Sequence, residues 1–241
     1  MYPAVPVYLS ILFVLSTLYV LWGVAFTIRS HPTPRIRKKM VSVVIVLVLW
    51  LTLQGALAGW GVYAENLDHL PPRIFAFGVL PPIVLILAVF LTRRGRSIID
   101  GLSLRRITYL HIVRIPVEVV LYGLYIFDAI PRELTFEGWN YDLIMGLTAP
   151  LVLILGWRPE ARSRLFFVLW NVVGIGLLAF VFVLAVLSAP FPLQQFGFTQ
   201  PNVGLLHFPF VWLPTFIVPV VISGHLIALR RWWIGKQGIA P

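Results

Sequence analysis

Seven segments of this chain are long runs of apolar residues, each close to the length that a helix needs to cross a lipid bilayer. A helical crossing of the ~30 Å hydrocarbon layer takes roughly 20 residues. The segments are bounded by charged residues or by Pro and Gly. They lie at about residues 5–28, 41–64, 74–92, 107–127, 140–157, 165–188 and 206–229.

Composition supports the same conclusion. With 59% hydrophobic and 12% charged residues, the chain has too much apolar surface for one water-soluble core. We therefore predict an all-α, polytopic membrane protein with seven transmembrane helices, forming a single transmembrane domain over residues 1–241. The lipid bilayer is its principal expected partner.

The distribution of basic residues predicts how the spans are oriented. Sixteen of the nineteen Lys and Arg residues lie in four segments, 29–39, 92–106, 157–164 and 230–236, which seven spans would place on one side. The alternate loops are mainly acidic. The positive-inside rule then puts the N-terminus outside and the C-terminus in the cytoplasm. The basic loops suit anionic lipid head groups, and nothing calls for nucleic acid.

Span 4, within "LHIVRIPVEVVLYGLYIF", carries charged groups on an otherwise apolar helix. A charge near the bilayer centre costs from ~2.5 to over ~10 kcal/mol, so this stripe should face protein or water. Span 4 is therefore expected to be central in the bundle or to line a cavity. Pro116 cannot donate to the carbonyl of Ile112 and favours a kink. The polar stripe comprises His111, Arg114, Glu118, Tyr122 and Tyr125.

Residues of other spans at similar depth complete a predicted polar layer. One interpretation is structural, because interhelical hydrogen bonds of about 1 kcal/mol each would hold the bundle together. The other is functional: a proton or ion relay, or a polar ligand site, with Glu118 as the titrating group. The predicted layer comprises Gln54, His111, Arg114, Glu118, Asn171 and His225.

A second group of polar residues lies on the predicted outer loops. Acidic and amide groups among aromatic residues are suited to a mouth for a cation or a hydroxylated solute, and solvated loop residues would look much the same. The loop "PFPLQQFGFTQPN" is uncharged and is expected to fold back as a lid. The candidate mouth residues are Glu65, Glu137, Asn140, Asp142, Gln195 and His207.

Several kinds of chemistry find little support. The chain has no Cys, and it lacks the His-Glu-x-x-His, G-x-S-x-G and Walker A patterns. The last span has no Lys for a retinal Schiff base. His111 and His225 are the only candidates for haem ligation, although a lone His is more often structural. We expect no metal, leave the cofactor unknown and do not favour an enzyme.

Short matching phrases suggest an internal repeat. Phe75 and Phe208 each begin the pattern F-x-F-x-x-L-P, and Val48 and Val168 each begin V-L-W. The matches fall in the same order, which would fit a parallel duplication of spans 1–3 and 5–7 joined by span 4. Phe, Leu and Pro are abundant here, so coincidence is the alternative.

This three-plus-one-plus-three plan resembles that of the SWEET sugar transporters, by architecture only. The Pro-Gln motif typical of their wider group is absent, and the linking span here carries charge. The phrases "HIVRIPVEVVLYGLY", "LTFEGWNYDLIMGLTAPL" and "SAPFPLQQFGFTQPN" are similar to those of small seven-span bacterial membrane proteins without an assigned function. That resemblance implies a multi-pass protein of the bacterial inner membrane and supplies no chemistry.

Two functional hypotheses follow. In the first, the protein is a small-solute transporter or a ligand-responsive membrane protein whose outer mouth admits a polar solute or cation toward Glu118 and Arg114. In the second, it is a non-catalytic subunit or assembly factor that contacts other membrane subunits or a second copy of itself. The two differ in whether the stripe on span 4 faces a hydrated cavity open to one side or a dry packed interface.

Overall fold

The chain is helical throughout the part that the structure describes. The computed structural model describes residues 4–65, 67–155, 161–233 and 235, and no strand occurs among them. The end of predicted span 5, part of the basic segment 157–164 and Lys236 lie outside the described residues. The α-helices are α1 (Val7–Arg29), α2 (Pro34–Arg37), α3 (Met40–Gly59), α4 (Leu80–Leu91), α5 (Arg93–Ile99), α6 (Leu104–Leu110), α7 (Arg114–Ile126), α8 (Asp142–Leu155), α9 (Ala161–Leu187) and α10 (Val218–Trp233).

Five helices are long and apolar enough to cross a membrane, and they correspond to predicted spans 1, 2, 4, 6 and 7. Predicted span 3 is the apolar helix Phe75–Leu91, which bends by 92° into Arg93–Ile99 and makes a sixth if the pair is counted as one span. Predicted span 5 is a shorter apolar helix, Asp142–Ile154. The all-α class is therefore confirmed. The five membrane-length helices are Val7–Arg29, Pro34–Gly59, Leu104–Ile126, Leu165–Leu187 and Leu213–Trp233.

The fourth predicted span is the most enclosed of these five helices. Of its most apolar window 61% is buried, against 11% for the window in Pro34–Gly59. It packs against α1, α8 and α10. A short 3₁₀ turn, His111–Val113, separates α6 from α7 just before Pro116, where the missing proline N–H weakens α-helical geometry. The expectation of a central span 4 is thus met.

Three of the basic segments predicted to share a side lie at one end of the bundle. The guanidinium of Arg230 donates to both carboxylate oxygens of Asp100 at 3.0 Å. The Arg106 guanidinium stacks over the ring of Phe26, with 4.3 Å to the ring centroid. His31 bonds the carbonyl of Ile98 through its ring nitrogen. We call this end, at residues 29–39, 92–106 and 230–231, the basic end.

Side chains of α3 donate hydrogen bonds to two backbone carbonyls in neighbouring helices. Each of these carbonyls lies four residues before a proline, which has no N–H to donate. The carbonyl of Phe77 faces Pro81 and Pro82, neither of which has an N–H to donate, and it accepts instead from Nε2 of Gln54 at 3.1 Å. Similarly, the carbonyl of Thr215, four residues before a proline, accepts from the indole of Trp50 at 3.0 Å. Both carbonyls lie in π-helical segments, Phe75–Val79 and Leu213–Ile217. In a bilayer no water would replace these donors, so α3 stabilises both segments.

We expect Gln54→Leu to lower the free energy of unfolding by about 1–3 kcal/mol, because it removes the side-chain donor to the Phe77 carbonyl. The measurement is reversible unfolding in detergent micelles. Thr52→Val is the control: Thr52 is exposed and bonds only its own helix, so a change within about 0.5 kcal/mol is expected. Equal losses for the two variants would contradict this role of Gln54.

Candidate functional site

Five of the six residues predicted to form a polar layer lie together in the core of the bundle. Two residues predicted for the outer mouth, Asn140 and Asp142, turn inward and join them. Each side chain in this group belongs to a residue no more than 7% exposed. The group, called the polar cluster, comprises His111, Arg114, Glu118, Asn140, Asp142, Asn171 and His225.

Arg114 lies at the centre of the polar cluster. Its Nη1 is 3.0 Å from Oδ1 of Asp142, and its Nη2 is 3.1 Å from Nε2 of His225. Arginine can only donate, so Nε2 of His225 accepts and the ring proton lies on Nδ1. That nitrogen is 2.9 Å from Oδ1 of Asn171, whose amide nitrogen donates to the carbonyl of Phe167. The network therefore holds His225 as a neutral imidazole in one tautomer.

Glu118 lies one turn further along α7 and is bonded by a single side chain. Its Oε1 accepts from Nδ2 of Asn140 at 2.7 Å. The same amide donates to the carbonyl of Leu134 at 3.0 Å, and its Oδ1 accepts from the backbone N–H of Asp142. Asn140 thus links the carboxylate of Glu118 to the loop before α8 and to the start of α8.

The charges in the polar cluster do not balance. One guanidinium faces two carboxylates, and Arg114 pairs directly with Asp142 and not with Glu118. Oε2 of Glu118 has no hydrogen-bond partner within the described part of the chain, and Nδ1 of His111 has none either. A buried charge without a partner is strongly destabilising. A proton or another cation at Glu118 would remove the imbalance.

The two histidines of the polar cluster stack on each other. The rings of His111 and His225 have centroids 4.1 Å apart at an interplanar angle of 36°, and Trp170 places its ring edge-on against His111. The two rings are in direct contact, whereas two ligands on opposite faces of a haem iron would be separated by the plane of the haem. No group of three or more His, Asp or Glu suited to a metal ion occurs among the described residues.

The segment between α7 and α8 folds back into the bundle to reach the polar cluster. Glu118 lies eight residues before the end of α7 at Ile126, about 12 Å along the helix axis, yet it meets Asn140. Ala129, Ile130 and Thr135 in the returning segment are fully buried. Helix α8 therefore begins at the depth of Arg114 and not at the end of α7.

The loop before α10 covers this returning segment. Nε2 of Gln200 donates to the carbonyls of Tyr125 and Ile130, at 2.8 and 2.7 Å. The backbone N–H groups of Val203 and Gly204 both donate to the carbonyl of Ala129. Irregular backbone is tolerated at membrane depth only when such partners are supplied. The loop predicted as a lid therefore packs over residues 125–131.

The remaining predicted residues lie apart from the polar cluster. Gln54 bonds Phe77 and the hydroxyl of Tyr63, because the prolines of its neighbouring helix require its amide donor. The outer mouth is divided: Glu65, Glu137 and Gln195 have exposed side chains, whereas Asn140 and Asp142 are buried. His207 is half-buried and its ring bonds the carbonyl of Val203.

Glycines allow three helices to close tightly around the polar cluster. A Cβ at Gly174 in α9 would lie 2.4 Å from the His225 ring, and one at Gly146 in α8 would lie 3.1 Å from Cβ of Arg114. A Cβ at Gly224 in α10 would lie 3.2 Å from Nε2 of His111. Sequence reasoning did not identify these glycines, because their spacing shows no pattern until the helices are placed.

Comparison with known proteins identifies the family. Residues 71–232 match the family model described as a domain of unknown function, DUF8737. This chain belongs to that family. The matched residues include every member of the polar cluster and begin after α3. No curated protein and no solved structure matches the chain.

We expect Gly174→Ala to destabilise the protein by about 1–3 kcal/mol, because the added methyl group must displace the His225 ring or the side chain of Met145. Gly176→Ala is a matched control on the same helix, since a Cβ there meets nothing within 4 Å. It is expected to be neutral or stabilising by up to about 1 kcal/mol, from helix propensity alone. The measurement is the free energy of unfolding in detergent. If both variants behave alike, the close packing at Gly174 does not constrain the cluster.

Proposed function

We propose that this chain is an integral protein of the bacterial plasma membrane that crosses it seven times, with the N-terminus outside. The shorter helices Phe75–Leu91 and Asp142–Ile154 would be spans 3 and 5. A span 5 that begins at Asp142 is reasonable because the segment 127–141, in which Ala129, Ile130 and Thr135 are fully buried, completes its outer end. The clustering of residues 29–39, 92–106 and 230–231 at one end supports a single cytoplasmic side.

The absence of Cys allows a direct test of this topology. Single cysteines replace exposed residues at the two ends: Lys38→Cys and Arg94→Cys at the basic end, Glu65→Cys and Glu137→Cys in the alternate loops. We expect a membrane-impermeant maleimide to label the last two in intact bacteria and the first two only after lysis. Labelling of Arg94→Cys and Glu65→Cys from the same side would overturn the seven-span topology.

Within that topology we propose that the protein is a small-solute transporter or a ligand-responsive membrane protein whose site is the polar cluster. The observation that carries this proposal is Glu118, a buried carboxylate with one oxygen unbonded while the only guanidinium in the cluster pairs with Asp142. Ionisable residues inside membrane proteins typically mark substrate or ion pathways. The charge imbalance favours a positive occupant: a proton, a metal cation or an ammonium group.

Access to Glu118 would require movement of the segment 127–141. Asn140 joins this segment to Glu118 through its amide, and the loop with Gln200 holds it from the other side. A cation that binds Glu118 would compete with Asn140 for the carboxylate, and so would loosen the connection between α7 and the covering loops. This coupling would connect binding at the site to opening on the predicted outer side.

The test compares Glu118→Gln with Asp68→Asn, which alters an exposed carboxylate outside the polar cluster and the predicted mouth. Glutamine keeps the acceptor for Asn140, so we expect the stability of Glu118→Gln to stay within about 1 kcal/mol of the wild type. The probes are protons, sodium, potassium and small ammonium compounds, each tested for stabilisation of the purified protein against unfolding. A specific cation at 100 times its Kd should stabilise the wild type and Asp68→Asn by about 2.7 kcal/mol, and Glu118→Gln should lose the effect.

The alternative result would favour a structural role. If Glu118→Gln unfolds the protein and no probe stabilises the wild type, the polar cluster serves to hold helices together. That result would support the second candidate function, which is a non-catalytic subunit or assembly factor. One observation favours it independently: α3 is mostly exposed and α4 has no buried residue, which leaves faces for another membrane protein. Native mass spectrometry after gentle solubilisation would detect such a subunit.

A further inference from the structure

An apolar cleft of about 400 Å³ opens between α3 and α4, and no residue of the polar cluster lines it. Its volume is within the range of small-molecule binding sites. Helices α1, α6 and α10 form its floor. Representative lining residues are Val46, Leu47, Leu85, Ile86, Val220 and Ile227.

The cleft offers an occupant no free hydrogen-bonding group from its few polar side chains. The hydroxyls of Thr27, Thr215 and Ser223 each bond a carbonyl of their own helix, at 2.7, 2.8 and 2.7 Å. The indole N–H of Trp50 is used by the carbonyl of Thr215. A hydrocarbon chain is therefore the occupant that this lining suits, since a polar solute would lose its own hydrogen bonds.

The walls of the cleft make it open to lipid. Gln54 of α3 donates a hydrogen bond to the carbonyl of Phe77, just before α4. From that contact toward the basic end, α3 and α4 line opposite sides of the cleft. Leu85 and Val46 are 60% and 62% exposed, respectively, although they lie in the middle of the apolar helices Phe75–Leu91 and Pro34–Gly59. An acyl chain in the surrounding bilayer can enter sideways between them.

Basic residues flank one end of the cleft on both walls. Lys39 precedes Val46 by seven residues, about 10 Å along a helix axis, and Arg93 follows Val89 by four residues, beyond the bend into α5. Ile98 and Ile99 of α5 line the same end of the cleft. Lys38, Lys39, Arg93 and Arg94 are exposed. Their charge complements a phosphate head group at the membrane surface.

We propose that the cleft between α3 and α4 binds an anionic phospholipid, with one acyl chain in the cleft and its phosphate at Lys39, Arg93 and Arg94. The occupant is held by hydrocarbon contact and by charge together. The proposal does not depend on the polar cluster. It predicts a single lipid of defined charge that stays with the protein when the surrounding lipid shell is removed.

The experiment is native mass spectrometry of the full chain, delipidated and then titrated with phosphatidylglycerol or with phosphatidylcholine of the same acyl chains. We expect one phosphatidylglycerol to bind at least about tenfold more tightly than phosphatidylcholine, because several surface Lys and Arg residues contribute. The double variant Arg93→Gln and Arg94→Gln should lose that preference. The matched control Arg73→Gln and Arg132→Gln, at basic residues outside the basic end, should keep it.

Cleft occupancy is tested by adding bulk. Leu47→Trp fills the cleft and should weaken phosphatidylglycerol binding about tenfold or more. Leu49→Trp makes the same change two residues away, on an exposed position that does not line the cleft, and should bind as the wild type does. If Leu47→Trp does not fold, Ser223→Leu replaces it in the test, because it fills the cleft from α10.

Each other outcome would overturn the proposal. Unchanged binding in the folded filling variants would place the lipid elsewhere, and equal binding of the two lipids would remove the role of the basic end. A dimer that Leu47→Trp dissociates would assign the cleft to a second copy of the chain. Glu118→Gln should leave lipid binding unchanged, so failure here and failure of the polar-cluster function are distinguishable.

Discussion

The cost of placing a positive charge inside an apolar helix bundle determines how the residues around Arg114 are arranged. A guanidinium in hydrocarbon needs an anion and acceptors for its donors. Asp142 supplies the anion, and His225 supplies an acceptor only because Asn171 holds its proton on the other nitrogen. To bring Asp142 to this depth, the segment 127–141 leaves the end of α7 and returns into the core. The deep start of α8 and the packing of the Gln200 loop over the segment follow from that return.

A second constraint is that every backbone carbonyl within a membrane needs a donor. Prolines remove donors in two helices, and both gaps are filled from one face of α3, by Trp50 and Gln54 four residues apart. These contacts fix one end of α3 against its neighbours. Toward the basic end, no such contact joins α3 and α4 among the residues that the structure describes, and the apolar cleft lies there. The polar cluster and the cleft therefore use different sides of the bundle, with α10 contributing to both.

Much of the fold and part of the site could be predicted from residue order. Hydropathy and segment length predict the helical class and the five membrane-length helices. The cost of burying charge predicts the central position of span 4 and the inward direction of its polar stripe. The sequence assigns Asn140 and Asp142 to the outer mouth because they lie at the outer edge of predicted span 5, next to an acidic loop. The one available signal was N-x-D before an unusually short apolar run, which is typical of a helix start. The sequence groups Gln54 with Glu118 because counting residues along each helix gives their depth in the membrane. The sequence does not show which neighbouring helix a side chain faces.

By itself, the sequence determined that this chain is helical, which segments are apolar enough for a membrane, and that Arg114 and Glu118 must face protein or water. These conclusions depend on local properties: the length of an apolar run and the side-chain period of one helix. Only the tertiary structure decided that Arg114 pairs with Asp142, that Glu118 is left with one amide, and that His225 is a neutral acceptor. Those contacts join residues from four parts of the chain across glycine-lined helix interfaces. Their geometry depends on packing between helices, which no periodicity within a single helix specifies.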